Sequence, residues 1–351
     1  MSGCDTGDRV SAVERIIPRP PDDVAPMRTA FVRMVSKQWQ IYVPPALAGC
    51  GEGMAGSQFA KGRFIGEMYA RACYSMLMVS QRGPSLLRAV VRGAALLPPW
   101  RGLSIELGSA LLAGMEHLLP KAVHRQLLLT SALMGMLDVV LDDAASSGEP
   151  AALRVASLTA RPCPENLLPA EKMIVALAQA IRQTETAWQE EYWVSVLQPA
   201  VHKYCEAEVL AVKHVPDRTG MAHRCAGIDA AIKAMWYVAG PQMGLEGDYA
   251  RFEKDQWNRE QQWMADTSLL MQMIDDWVDQ DEDRGARLTP VVAGDWNLES
   301  AAELFDKTVR DLGVLLDASG IQKPVLKNIL ADLYRDYLHT AMDAMRAGFA
   351  A

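Results

Sequence analysis

Two runs of aspartate are the residues in this chain whose type and spacing could do chemistry together. The first, Asp138, Asp142 and Asp143, ends the segment LLLTSALMGMLDVVLDDAASSGEP. The second, in DDWVDQDEDR, supplies Asp275, Asp276, Asp279 and Asp283. On a helix, Asp138 and Asp142 share a face, and Asp275 or Asp276 begins a stripe that continues through Asp279 and Asp283. Without a counter-ion this is unfavourable. Like charges four residues apart repel by a few tenths of a kcal/mol, and a carboxylate near the negative end of a helix loses roughly 0.3 to 1 kcal/mol more. A bound cation reverses both signs. One or two carboxylates per ion, completed by water and substrate phosphate, is the ligand set that magnesium prefers. Two such stripes facing each other across a helical bundle could clamp a diphosphate and stabilise it as a leaving group. Either stripe alone reads as readily as a solvated face, but two of them, each following an apolar helical segment, point to a shared metal site.

Other metals fit the spacing poorly. Asp279, Asp281 and Asp283 begin like a calcium loop, but Arg284 stands where such a loop needs glycine and Pro290 where it needs glutamate. A di-iron bundle needs Glu and His three apart on two helices, and no such pair occurs. Six cysteines (Cys4, Cys50, Cys73, Cys163, Cys205, Cys225) have no short paired spacing, which suggests reduced thiols in the cytoplasm rather than a zinc cluster or a disulfide framework. With 35 basic and 43 acidic residues the formal net charge is -8, so nothing overall attracts nucleic acid or an anionic membrane. No apolar run is long enough for a membrane span, and the N-terminus lacks a signal-peptide pattern. An anionic ligand would therefore need a metal.

The elements that must position these acids are helices. From Gln58 onward apolar residues recur at three and four rather than alternating, which predicts an all-α fold. Helices are expected over about 57–82, 103–117, 121–146, 166–186, 189–214, 222–240, 250–284, 298–317 and 323–347. Prolines and glycines fall between them. Residues 1–56, punctuated by Pro18, Pro20, Pro21, Pro26, Pro44 and Pro45, read as an irregular leader, and 57–351 as one helical domain.

At these acidic segments the chain resembles the squalene and phytoene synthase group of class I isoprenoid synthases, and within that clan it looks most like bacterial large-terpene synthases of the tetraprenyl-β-curcumene synthase type. LDVVLDD, Leu137 to Asp143, is similar to the first acidic motif of squalene synthases, and DDWVDQDEDR, Asp275 to Arg284, to the second motif of both groups. WYVAG, Trp236 to Gly240, is also like squalene synthases, whereas YCEAEVLAVKH, Tyr204 to His214, is similar to the large-terpene group. The resemblance implies an isoprenoid synthase-type helical bundle around a central apolar cavity, with Mg2+ as cofactor and a prenyl diphosphate as substrate. It further implies Asp138, Asp142, Asp275, Asp279 and Asp283 as catalytic metal ligands, and leaves a homodimer open.

Departures from the family patterns narrow the reaction. Ser146, Ser147 and Gly148 follow the first motif where elongating prenyltransferases carry an arginine pair. Leu141 stands where squalene synthases usually have an acid, and Asp275 where phytoene synthases usually have asparagine. These favour cyclisation over the alternatives, head-to-head condensation of two prenyl diphosphates or a non-catalytic helical scaffold. Loss of diphosphate leaves an allylic cation, which aromatic faces stabilise by roughly 0.5 to 2 kcal/mol each. Trp236, Tyr237 and Trp277 are the candidates, while Lys213, His214, Arg224 and Lys233 could bind diphosphate oxygens. Tyr334, Arg335 and Tyr337 could close over the leaving group.

Overall fold

The computed structural model describes residues 17, 22, 25–55, 57–79, 100–114, 117, 119–145, 149–160, 165–184, 192–213, 218–237, 254–278, 298–317, 335 and 339. The fold is all-α, and no strand occurs among the described residues. In chain order the helices are α1 (Ala25–Ala46), α2 (Ser57–Val79), α3 (Trp100–Ala113), α4 (Lys121–Ala145), α5 (Glu149–Ser157), α6 (Pro169–Arg182), α7 (Gln198–Lys213), α8 (Arg218–Tyr237), α9 (Lys254–Val278) and α10 (Leu298–Asp317). None is long and apolar enough to cross a membrane.

Two corrections to the expected elements have a physical cause. The segment expected to be irregular contains α1, because its prolines bracket the helix instead of interrupting it. Pro26 lies in the first turn, where a missing N–H costs nothing, and Pro44 and Pro45 lie in the last turn. Between them Met27, Phe31, Met34, Val35, Trp39 and Val43 form a buried stripe of helical period. The second unexpected helix is α5, which starts at Glu149 with Pro150 in its first turn. The helix expected over 323–347 lies outside the described residues, except for helical Arg335 and His339.

The chain divides into two compact units. One comprises 34–75 and 116–252, and the other 1–33, 76–115 and 253–351.

In the first unit α4 is the axis. Every residue from Gln126 to Leu137 is buried, as expected of a helix that is apolar on all sides. It packs against α5, α6, α7 and α8, and α2 crosses it in backbone contact. A Cβ on Gly135 would lie 2.3 Å from the Gly62 carbonyl oxygen and 2.5 Å from the Gly66 nitrogen. A Cβ on Gly66 would meet the Trp39 ring at 2.6 Å and the Ser131 carbonyl at 3.0 Å. Glycines four apart on α2 thus face Ser131 and Gly135, four apart on α4.

Buried polar groups tie the neighbouring helices to this axis. Thr130 is 3.0 Å from the Tyr192 hydroxyl, which donates to the Ala234 carbonyl of α8 at 3.1 Å. Tyr74 and His124 Nδ1 are 2.7 Å apart. Between α5 and α6, Arg154 grips both oxygens of Glu171 at 2.8 and 2.9 Å, and the same carboxylate accepts the Leu168 N–H at the start of α6. Tyr192 to Leu197 form a π-helical stretch leading into α7. Pro199 explains the widening, since it has no N–H for the Ser195 carbonyl one α-turn earlier.

In the second unit α9 packs on α10. The stripe Ala301, Phe305, Thr308, Leu312 and Leu315 is buried, Trp263 donates to the Thr308 carbonyl at 2.9 Å, and Lys307 pairs with Asp266 and Asp311. His339 Nε2 lies 2.7 Å from the carbonyl of buried Ile17, joining sequence-distant ends of the described chain.

The glycine crossing predicts its own sensitivity. Gly135→Ala puts a methyl into backbone that has no side chain to move aside, and should destabilise the protein by about 1 to 3 kcal/mol or more. Gly114→Ala meets nothing closer than 3.7 Å and should change stability by less than about 0.5 kcal/mol. Urea unfolding of both variants checks the contrast.

Candidate functional site

The fold places the first acidic run at the C-terminal end of its most enclosed helix. Asp138 lies two turns before the end of α4, and Asp142 and Asp143 are in its last turn. Asp138 is partly exposed, while its neighbours Leu137, Val139, Val140 and Leu141 are buried. Its Oδ1 accepts a short hydrogen bond from the phenol of Tyr204 on α7. Tyr204 is itself buried. Its pKa is held well above the usual value, first by burial, then by the charge of Asp138, with Tyr69, Glu208 and the hydrogen bond to Asp138 adding to the effect. The proton therefore stays on the phenol, and Tyr204 remains a donor that orients the carboxylate. A hydrogen bond of this kind behind a carboxylate is the usual support of a metal-ligating oxygen.

The second acidic run begins in the last turn of α9, where Asp275 and Asp276 are helical. The described members of the two runs, Asp138, Asp142 and Asp143 on α4 and Asp275 and Asp276 on α9, thus lie in the last two turns of their helices. The side chains of Asp142, Asp143, Asp275 and Asp276 lie outside the described residues, as do Asp279 and Asp283 altogether. The described residues contain no group of three or more potential metal-binding side chains. The donor set nonetheless fits magnesium by its chemistry: hard carboxylate oxygens only, of which Asp138 is already oriented by a neutral donor.

The other candidates divide. Trp236 is described and fully enclosed on α8, where Ile232, Ala234 and Met235 are buried as well. Its burial makes it part of the packing of α8. Lys233 is exposed on the same helix and pairs with Asp229 at 2.6 Å, so an anion would have to displace that partner. Lys213, Arg224, Tyr237 and Trp277 are helical but their side chains lie outside the described residues, as do His214, Tyr334 and Tyr337 altogether. Arg335 lies over the Phe305 ring, 5.7 Å from its centroid.

No family model matches the chain. No curated protein and no solved structure matches it either. The functional reading therefore rests on the site itself.

Tyr204 is the contributor that sequence reasoning passed over, although its segment was singled out for other reasons. The available signal was the spacing of Tyr204 and Glu208, one turn apart on a helix that had to pack on something.

The raised Tyr204 pKa gives a pH prediction. Because the folded value lies above the ordinary 10.0, this contribution to stability is complete below about pH 10 and is lost as pH rises beyond it. Buried Tyr74 and Cys205, the latter pushed up to about 12, act in the same direction. Tyr204→Phe should make the alkaline decline shallower, and at pH 7 should cost about 1 to 3 kcal/mol through the lost bond to the carboxylate. Denaturant titrations between pH 7 and pH 11 test both parts.

Proposed function

We propose that this chain is a magnesium-dependent class I terpene synthase that ionises one prenyl diphosphate and cyclises the resulting cation. The observation that carries the reading is Asp138. It is a carboxylate at the end of an otherwise apolar, enclosed helix, oriented by a buried tyrosine, with two more aspartates following in the last turn. A structural helix gains nothing from assembling repulsive carboxylates at its negative end, whereas a metal-binding one does. The second run, at the end of α9, supplies the complementary ligands in this reading.

When bound, Mg2+ would neutralise the diphosphate and stabilise it as a leaving group. The chain's own residues have three tasks in this scheme. Asp138, Asp142, Asp143, Asp275, Asp276, Asp279 and Asp283 are the pool of ligands. Tyr204 keeps its proton and fixes the orientation of Asp138. Apolar side chains of a central cavity in an isoprenoid synthase-type bundle would exclude water while the ring closes. Cyclisation is favoured over joining two substrates by Leu141. Where a squalene synthase usually has an acid, this side chain is 1% exposed and serves the core. The enzyme is taken to act in the cytoplasm.

Incubation with prenyl diphosphates of several lengths should release diphosphate only when a divalent cation is present, and magnesium should suffice. Asp138→Asn and Asp279→Asn should each lower turnover by about a hundredfold or more, and Tyr204→Phe by about ten- to a hundredfold. Mass analysis should find one substrate skeleton per product. Full activity in excess chelator would refute the metal role, and a product with twice the carbons of its substrate would replace cyclisation by condensation.

A further inference from the structure

A second site lies within the first unit, away from the acidic end of α4. A cavity of about 640 Å³ opens between the end of α1, the 3-10 stretch Ala48–Ala55, α4 and the face of α6. Its volume is in the range that takes a small organic ligand. Arg125 of α4 and Lys172 of α6 both line it, together with the Cys50 thiol and the Tyr42 ring. Gln179 and Gln183 add amides, and Ile41, Leu129, Val175 and Ala176 supply an apolar wall. Among the described residues the lining contains no carboxylate.

The two cations differ from those that this fold pairs. Arg154, Arg63, Lys233 and Lys307 each sit against a carboxylate. Arg125 is half-buried, Lys172 is exposed, and neither makes an ion pair with a described residue. A guanidinium fork and an ammonium lining one cavity, with no carboxylate among its described walls, are suited to a dianionic head such as phosphate. The apolar wall beside them suits a short hydrocarbon body. The site is separate from Asp138: Arg125 and Asp138 are thirteen residues apart on one helix, which is roughly 20 Å along its axis and about 140° around it.

We infer that this cavity is a binding site for a small organic phosphate, with Arg125 and Lys172 holding the head group and the Leu129–Val175 wall holding its apolar tail. The inference does not depend on the reaction proposed above, since none of the aspartates takes part.

Cys50 reports on occupancy. It is half-buried on the cavity wall; burial raises its pKa and the nearby Lys172 partly offsets this. The full-length protein is alkylated with iodoacetamide at pH 8.5, and the Cys50 peptide is followed by mass spectrometry against rising hexyl phosphate, inorganic phosphate, hexanol or hexanoate. Hexyl phosphate should protect Cys50 saturably, with a midpoint at least tenfold below that of each other probe. Arg125→Gln and Lys172→Gln should each raise that midpoint at least tenfold. Lys172 is exposed, so its variant is expected to fold even if the Arg125 variant does not, and circular dichroism checks both. Absence of protection, or a midpoint unmoved in folded Lys172→Gln, overturns the site. Equal protection by hexanol or by inorganic phosphate overturns the two-part ligand, and equal protection by hexanoate overturns the phosphate assignment.

Discussion

The backbone contact between α2 and α4 is the constraint on which the first unit is built. With Gly62 and Gly66 against Gly135, main chain meets main chain at the crossing, and the Met136 sulfur lies against Gly62. That proximity carries the Trp39 ring onto Gly66 and lets α4 be surrounded on its remaining sides by α5, α6, α7 and α8. A helix so enclosed has to be apolar all round, and from Leu127 to Leu137 its only polar side chains are two hydroxyls. Both hydroxyls are used, Thr130 on Tyr192 and Ser131 on the sulfur of Met235. Asp138 is the first residue on α4 past this enclosed stretch that reaches solvent, so the position of the acidic end follows from where the crossing stops.

Much of this was legible from periodicity and composition. The helical class, the limits of α10, and the delivery of Asp138, Asp142 and Asp143 at a helix end follow from the spacing of apolar residues and from Gly148 and Pro150 beyond them. Other features depended on information a linear reading does not weigh. Prolines announce a break, yet Pro26 sits where a helix tolerates one and Pro44 and Pro45 fall only in its last turn, and the buried stripe from Met27 to Val43 reveals the helix between. The Tyr204–Asp138 bond joins residues 66 apart in sequence, a pairing decided by helix packing. The same is true of Arg125 and Lys172, ordinary surface cations by type until α4 and α6 bring them to one cavity.

Several charges among the described residues are settled locally and in pairs. Glu171 shows how much one carboxylate can do. It receives the Arg154 fork and caps the start of α6, and its pKa is lowered chiefly by the arginine hydrogen bond. Lys307 is held between Asp266 and Asp311 in the same spirit. The acidic end of α4 and the cationic cavity beside α6 both lie on the helix that the rest of the unit encloses. Ionisable groups gathered at the rim of an enclosed element are where a fold of this kind has room for a ligand.

The π-helical stretch from Tyr192 to Leu197 spends one residue more per turn than an α-helix does. The surplus is absorbed in the wide turn, so drawing one residue out of it would restore ordinary pitch and leave Tyr204 on the side of α7 that meets α4. A deletion in the α-helical turn between that stretch and Tyr204 has no such slack. It would advance the register by one residue, about 100°, and bring Cys205 to the place of the phenol beside Asp138. The wide turn is thus the one stretch of this path that can lose a residue without changing the donor at the end of α4.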